Sequence, residues 1–202
     1  MYTRRTKRRH TENMYLISVY FDDRTNKTLQ RYIDRIASAT GNGFMVENNV
    51  PPHMTISSIE AKSVDVLLPT FESLEGRLSS DEIQLVSVGQ LFPYVMYVMP
   101  VMNEYLLNFS RTVFDSYDAL SAAHRETPPE ALPESCREIC ISRYYRPLSW
   151  LPHITLAKTL DKVQMRKAFE VMQGCFVPFA AKVTEIGLAK VNPHEDVKRF
   201  VL

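Results

Sequence analysis

The chain has 202 residues, is 45% hydrophobic and 23% charged, and carries a formal net charge of +1. That composition excludes a coiled coil, a collagen-like chain and a wholly disordered one, and the length suits one large domain. No apolar run approaches the ~18 residues of a membrane helix and no signal-peptide segment opens the sequence, so a cytoplasmic protein without a membrane partner is expected.

Charge is uneven along the chain. Residues 1–13 hold five cations against Glu12, a net +4, which leaves a net −3 for residues 14–202. The basic stretch reads as a flexible, solvated tail. Cys136, Cys140 and Cys175 are odd in number and form no CxxC pair, so reduced thiols are expected rather than a disulfide framework.

In chain order, residues 14–22 alternate with β-branched and aromatic side chains and predict a strand. Thr25 or Asn26 then caps a helix with Leu29, Ile33 and Ile36 on one face, ended by Gly41 or Gly43. Residues 50–59 predict a second strand. Residues 63–78 have helical spacing, with Pro69 kinking the helix or delaying its start. Strands follow at 82–89 and 94–101 around Pro93, then a long helix at 103–124, an exposed loop at 125–133 and a short strand at 139–142. The remainder predicts a strand at 151–158, a helix at 161–173 ended by Gly174, and strands at 181–191 and 197–202 joined at Asn192-Pro193.

Sliding the chain on itself by one hundred residues places Pro52-His53-Met54-Thr55-Ile56 on Pro152-His153-Ile154-Thr155-Leu156, Val86 and Val88 on Ile186 and Leu188, and Pro93 on Pro193. The order of elements repeats with them. The expected fold is therefore α+β and bilobal, with two antiparallel-rich sheets in a pseudo-two-fold arrangement, helices flanking them and a cleft between. The lobes are expected to span roughly 14–101 and 102–202, with elements exchanged between them.

In a strand, side chains alternate between faces, so His53 and Thr55 share one face and Met54 and Ile56 the other, and likewise for His153 and Thr155 against Ile154 and Leu156. The apolar pair can anchor each strand while imidazole and hydroxyl project into the cleft. A single such histidine reads as a buried imidazole bonded to backbone; two at matched positions read as a site. Zinc would want three or four ligands, and neither motif has Cys, Asp or a second His at ligand spacing, so no metal or other cofactor is implied. Two imidazoles can serve as general base and general acid on opposite sides of one phosphorus, within a span of about 5–8 Å, while threonine hydroxyls grip its nonbridging oxygens.

PPHMTI at 51–56 and LPHITLAK at 151–158 resemble the paired HxTx motifs of the two-histidine phosphoesterases, which include 2′-5′ RNA ligase-like proteins and cyclic nucleotide phosphodiesterases. The resemblance extends to the element order over residues 14–202. It implies a bilobal fold, His53 and His153 as the acid/base pair, Thr55 and Thr155 as phosphate binders, and hydrolysis or transfer at 2′,3′-cyclic phosphate or 2′-5′ ends of nucleotides or RNA. The second motif ends in Ala157-Lys158 where many relatives carry Arg, which keeps a cation but loses its fork of donors.

Arg143-Tyr144-Tyr145-Arg146 and Trp150 place cations and aromatics just before the second motif. Tyr145, Arg146 and Lys158 are therefore added to the expected substrate-binding set, with Trp150 expected to pack. Tyr20 and Phe21 point to opposite faces, with Phe21 assigned to the core. His10, His124 and His194 are expected to be exposed and without a role, and Met96, Met99 and Met102 to fill core or strand faces. The alternative to a monomeric phosphoesterase is a nucleotide or RNA-end binding module of the same fold.

Overall fold

The computed structural model describes residues 13–91, 94–126, 139–191 and 194–202. The basic tail, His10, Pro93, Cys136, most of the 125–133 loop and the Asn192-Pro193 turn lie outside the described residues, as does the side chain of His124.

Among the described residues, eight strands and five α-helices follow one another along the chain. They are β1 (Met14–Phe21), α1 (Asp23–Thr40), α2 (Phe44–Glu47), β2 (Met54–Glu60), α3 (Leu68–Glu72), β3 (Asp81–Leu91), β4 (Val95–Pro100), α4 (Glu104–Glu126), β5 (Cys140–Ile141), β6 (Ile154–Ala157), α5 (Lys162–Cys175), β7 (Phe179–Val191) and β8 (Glu195–Val201). Short 3₁₀ turns lie at Val64–Val66 and Arg143–Tyr145.

The boundaries follow the backbone's need for partners. Helix α1 starts earlier than expected because Asp22, not Thr25 or Asn26, is its cap: the Asp22 carboxylate accepts from the Thr25 N–H at 2.9 Å. Thr25 is instead buried, and its hydroxyl accepts from the Lys182 N–H. Gly41 ends the helix at φ 71° while its N–H bonds the Ala37 carbonyl, a left-handed conformation that favours glycine. Gly174 does not end α5. Its φ is not positive, and the helix runs on to Cys175 from a capping box formed by Asp161 and Gln164. Pro69 sits in the first turn of α3, where its missing N–H costs nothing, so the expected long helix splits into a 3₁₀ turn and a short helix. Strand β2 begins at Met54 rather than at 50, because the Val50 N–H is already used by the Met45 carbonyl below α2.

All the strands pair antiparallel. Hydrogen-bonded neighbours run β1–β2–β6–β4–β3–β7 and back to β1, with β5 on β2 and β8 on β7. The two expected sheets are thus arms of one continuous sheet. One arm centres on β1, between β2 and β7, and the other on β4, between β6 and β3. The strand order within the two sets, β1-α1-β2-α3-β3 and β4-α4-β6-α5-β7, repeats, and the third strand of each set lies in the other's arm. Helices α1 and α5 pack together, with α1 against β6, while α3 and α4 pack together, with α4 against β2. The core between helices and sheet is continuous, from Leu29, Ile33 and Ile36 of α1 through Ile17, Ile56, Val98 and Ile186 to Val113 and Tyr117 of α4. Among the described residues no helix is long and apolar enough to cross a membrane.

Candidate active site

Met54 pairs with Ile154 where β2 meets β6. That antiparallel contact places a local two-fold axis between the two motifs. Met54, Ile154 and Leu156 are 0% exposed and Ile56 is 1% exposed, whereas His53, Thr55, His153 and Thr155 are half-buried on the opposite face. Alternation along each strand therefore gathers all four polar side chains on one surface. With Met54 opposite Ile154, the two histidines are diagonal neighbours across the strands, a spacing of about 7–8 Å between backbone positions.

Both imidazoles are oriented identically. Nδ1 of His53 donates to the Pro51 carbonyl at 2.8 Å, and Nδ1 of His153 donates to the Leu151 carbonyl at 2.8 Å. A carbonyl can only accept, so each neutral ring carries its proton on Nδ1 and presents the Nε2 lone pair. Pro52 and Pro152 are buried beside these turns and hold the preceding residue extended, which aims the carbonyl at the ring.

The environments of the two rings differ. Burial lowers the His53 pKa to about 4, the bond to Pro51 opposes this in part, and positive charge at His194, His153 and Arg199 adds to the lowering. Burial also lowers His153, again opposed by its backbone bond. His153 is near enough to His53 to act on it electrostatically.

The side walls are aromatic. The Tyr20 ring lies 6.3 Å from that of His53, and the Tyr97 ring 5.3 Å from that of His153. Each tyrosine crosses a glycine on a neighbouring strand. A Cβ on Gly187 would sit 2.7 Å from Tyr20 Cε2, and one on Gly89 would sit 2.6 Å from the Tyr97 hydroxyl. Both glycines are needed for these close approaches. Phe21 points the other way into the core, as its position on the strand predicts.

The remaining expected residues have contacts of their own. Tyr145 is half-buried and packed against the core, where burial raises its phenol pKa. Arg146 is exposed, and its carbonyl accepts from the Ser149 and Trp150 N–H groups. Lys158 is exposed with Nζ 5.6 Å above the Phe44 ring. Trp150 is packed at 5% exposure, and its indole donates to the Thr55 carbonyl at 3.0 Å, joining the segment before the second motif to the first.

Two expectations are overturned. His194 is not an exposed turn residue. Its ring stacks on that of His53 at 6.1 Å and 24°, because the β7–β8 hairpin carries it over the first motif. Met102 fills no core position and is 38% exposed beyond the end of β4, whereas Met96 is fully buried. Comparing the halves for likeness hid His194, whose counterpart at the hundred-residue offset is Tyr94.

No protein-family model and no curated protein matches the sequence. Solved structures do. E. coli LigT complexed with 3′-AMP has a TM-score of 0.53 at 13% identity, covering 94% of this chain and 98% of that one. A structure described as a phosphoesterase has a TM-score of 0.55 at 14% identity, covering 94% and 98%. TT0787 of Thermus thermophilus has a TM-score of 0.57 at 15% identity, covering 94% and 97%. The chain has the fold of LigT, the α+β fold that its resemblance to the two-histidine phosphoesterases implied.

Proposed function

We propose that this protein is a metal-independent phosphoesterase acting on 2′,3′-cyclic phosphate ends or 2′-5′ linkages of nucleotides or RNA, with His53 and His153 as its acid/base pair. The observation that carries this reading is the gathering of His53, Thr55, His153 and Thr155 on one face around the Met54–Ile154 pair, with both Nε2 atoms left available. Solved LigT structures complexed with 3′-AMP and with ATP share the fold, which supports a nucleotide as ligand. Among the described residues no three His, Cys, Asp or Glu gather as a metal-binding group.

The chemistry balances with the two imidazoles alone. Burial favours the neutral form of both rings, and an incoming phosphodiester anion draws a proton onto one of them. The neutral ring takes a proton from water as the water oxygen bonds to phosphorus. The protonated ring gives its proton to the departing 2′ or 3′ oxygen as that P–O bond breaks, leaving a phosphomonoester. Thr55 and Thr155 donate to the nonbridging oxygens, where charge redistributes. Each turnover exchanges the protonation states of the histidines, and solvent restores them. With a 5′-hydroxyl in place of water the same displacement opens the cyclic phosphate and forms a linkage, and the reverse of that step cleaves one, a ribose hydroxyl bonding to phosphorus as the 5′ oxygen departs with a proton. Lys158 and Arg146, exposed on either side of the second motif, serve outer phosphates, and Tyr145 supports that wall.

Incubation with 2′,3′-cyclic mononucleotides and with 2′-5′-linked dinucleotides in EDTA, followed by chromatography, tests the reading. Monoester product undiminished by chelator is expected. Loss of turnover in EDTA would overturn metal independence, and tight binding without product would identify a binding module instead.

A further inference from the structure

Strand β8 follows the second set of strands, and the hairpin it forms with β7 lies on the His53 side of the site. Asp196 on β8 is its hub. One carboxylate oxygen accepts from Arg199 Nη2 at 2.6 Å. The other accepts from the Tyr20 hydroxyl at 3.4 Å and lies 3.6 Å from His194 Nε2. The Arg199 guanidinium covers the Tyr20 ring at 3.5 Å, and its Nη1 is 3.6 Å from Glu185 on β7. One carboxylate therefore ties together both rings that flank His53, while His153 has Tyr97 beside it. His194 Nε2 is buried without a hydrogen bond among the described residues, so the ring is held by its stacking on His53 and by its proximity to Asp196.

We propose that His194, held beside Asp196, is a positioning residue that fixes the imidazole of His53 and keeps it the proton acceptor of the pair, with His153 as the donor. The assignment of acceptor and donor rests on the phosphoesterase reading above; the placement of the rings does not. Among the described residues the groups that face His53 are Tyr20 from β1, His153 just before β6, and His194 and Arg199 from the β8 side, with Asp196 between the last two and Glu185 turned toward Arg199. His194 Nε2 faces the Asp196 carboxylate. A proton on His53 meets repulsion from positive charge at His194, His153 and Arg199, and its Nδ1 is already spent on Pro51. Among the described residues His153 carries no such neighbours, so the proton drawn in by a phosphate anion settles there.

The test is an NMR titration of the imidazole ring protons in the wild type, His194→Phe and His194→Ala, with the amide spectrum confirming the fold. Phe keeps a stacking ring without a charge, and Ala removes both. In each variant the midpoint of His53 should rise by about 0.5–1 pH unit while that of His153 moves less. The acid limb of kcat/KM for a 2′,3′-cyclic nucleotide should move with it. His194→Ala alone should also lower kcat, by about 10-fold, from a misplaced ring, and His194→Phe should restore it. A His53 midpoint unchanged in both folded variants would overturn the proposal. A wild type without turnover would overturn the acceptor and donor assignment, with the titration still deciding whether His194 acts on His53.

Discussion

His53 and His153 are held in the same way, each by a bond from Nδ1 to the carbonyl two residues earlier, yet they sit against different walls. The first lies between Tyr20 and His194, backed by Asp196 and Arg199; the second faces Tyr97, which crosses Gly89. The shared part is encoded within five residues of each histidine, whereas the walls come from strands distant in sequence. Symmetry at a site can thus be exact in its local chemistry and broken in its electrostatics.

The largest expected effect tests the shared part. His53→Ala and His153→Ala should each cut kcat on a 2′,3′-cyclic nucleotide by about 10²–10⁴-fold, with circular dichroism unchanged. A large loss in only one of them would break the equivalence of the two motifs.

The glycines come next, and here the halves should differ. Gly187→Ala should cost about 1–3 kcal/mol by urea denaturation, because Tyr20 is clamped by Arg199 and Asp196 and cannot retreat. Gly89→Ala should cost less, since the clash there falls on the outer end of the Tyr97 ring. The reverse order would mean that the β8 cluster does not hold Tyr20.

A pH effect sharpens the same contrast. His53 titrates near 6.5 when unfolded and near 4 in the fold. Between those values the unfolded chain holds the extra proton, so stability falls as the pH drops from about 6.5 to about 4. Thermal melts across that window should show the loss, and His53→Gln should flatten it. The smallest effect is expected from Trp150→Phe, which removes the bond to the Thr55 carbonyl and should cost about 1 kcal/mol in the same urea assay.

The gathering of His53, Thr55, His153 and Thr155 on one face was legible because alternation along a strand is a local rule, and the hundred-residue offset supplied the partner strand. Helix α1 was legible from its helical spacing, another local rule, and its stop as one of two glycines, of which Gly41 is the one used. Its cap was missed by three residues because Asp22 looks like the end of the strand until Thr25 is seen to be buried. His194 was misread because its place depends on the path of the β7–β8 hairpin, which no local pattern reports. A glycine inside a long strand, Gly187, was the available sign that some large side chain crosses there.

The exchange of third strands has a consequence for how the protein is made. Met14 on β1 pairs with Val191 on β7, so β1 has no neighbour on that side until β7, far later in the sequence, has been synthesised. Neither half should survive as a stable fragment, and the nascent β1 edge is open to mispairing in the interval.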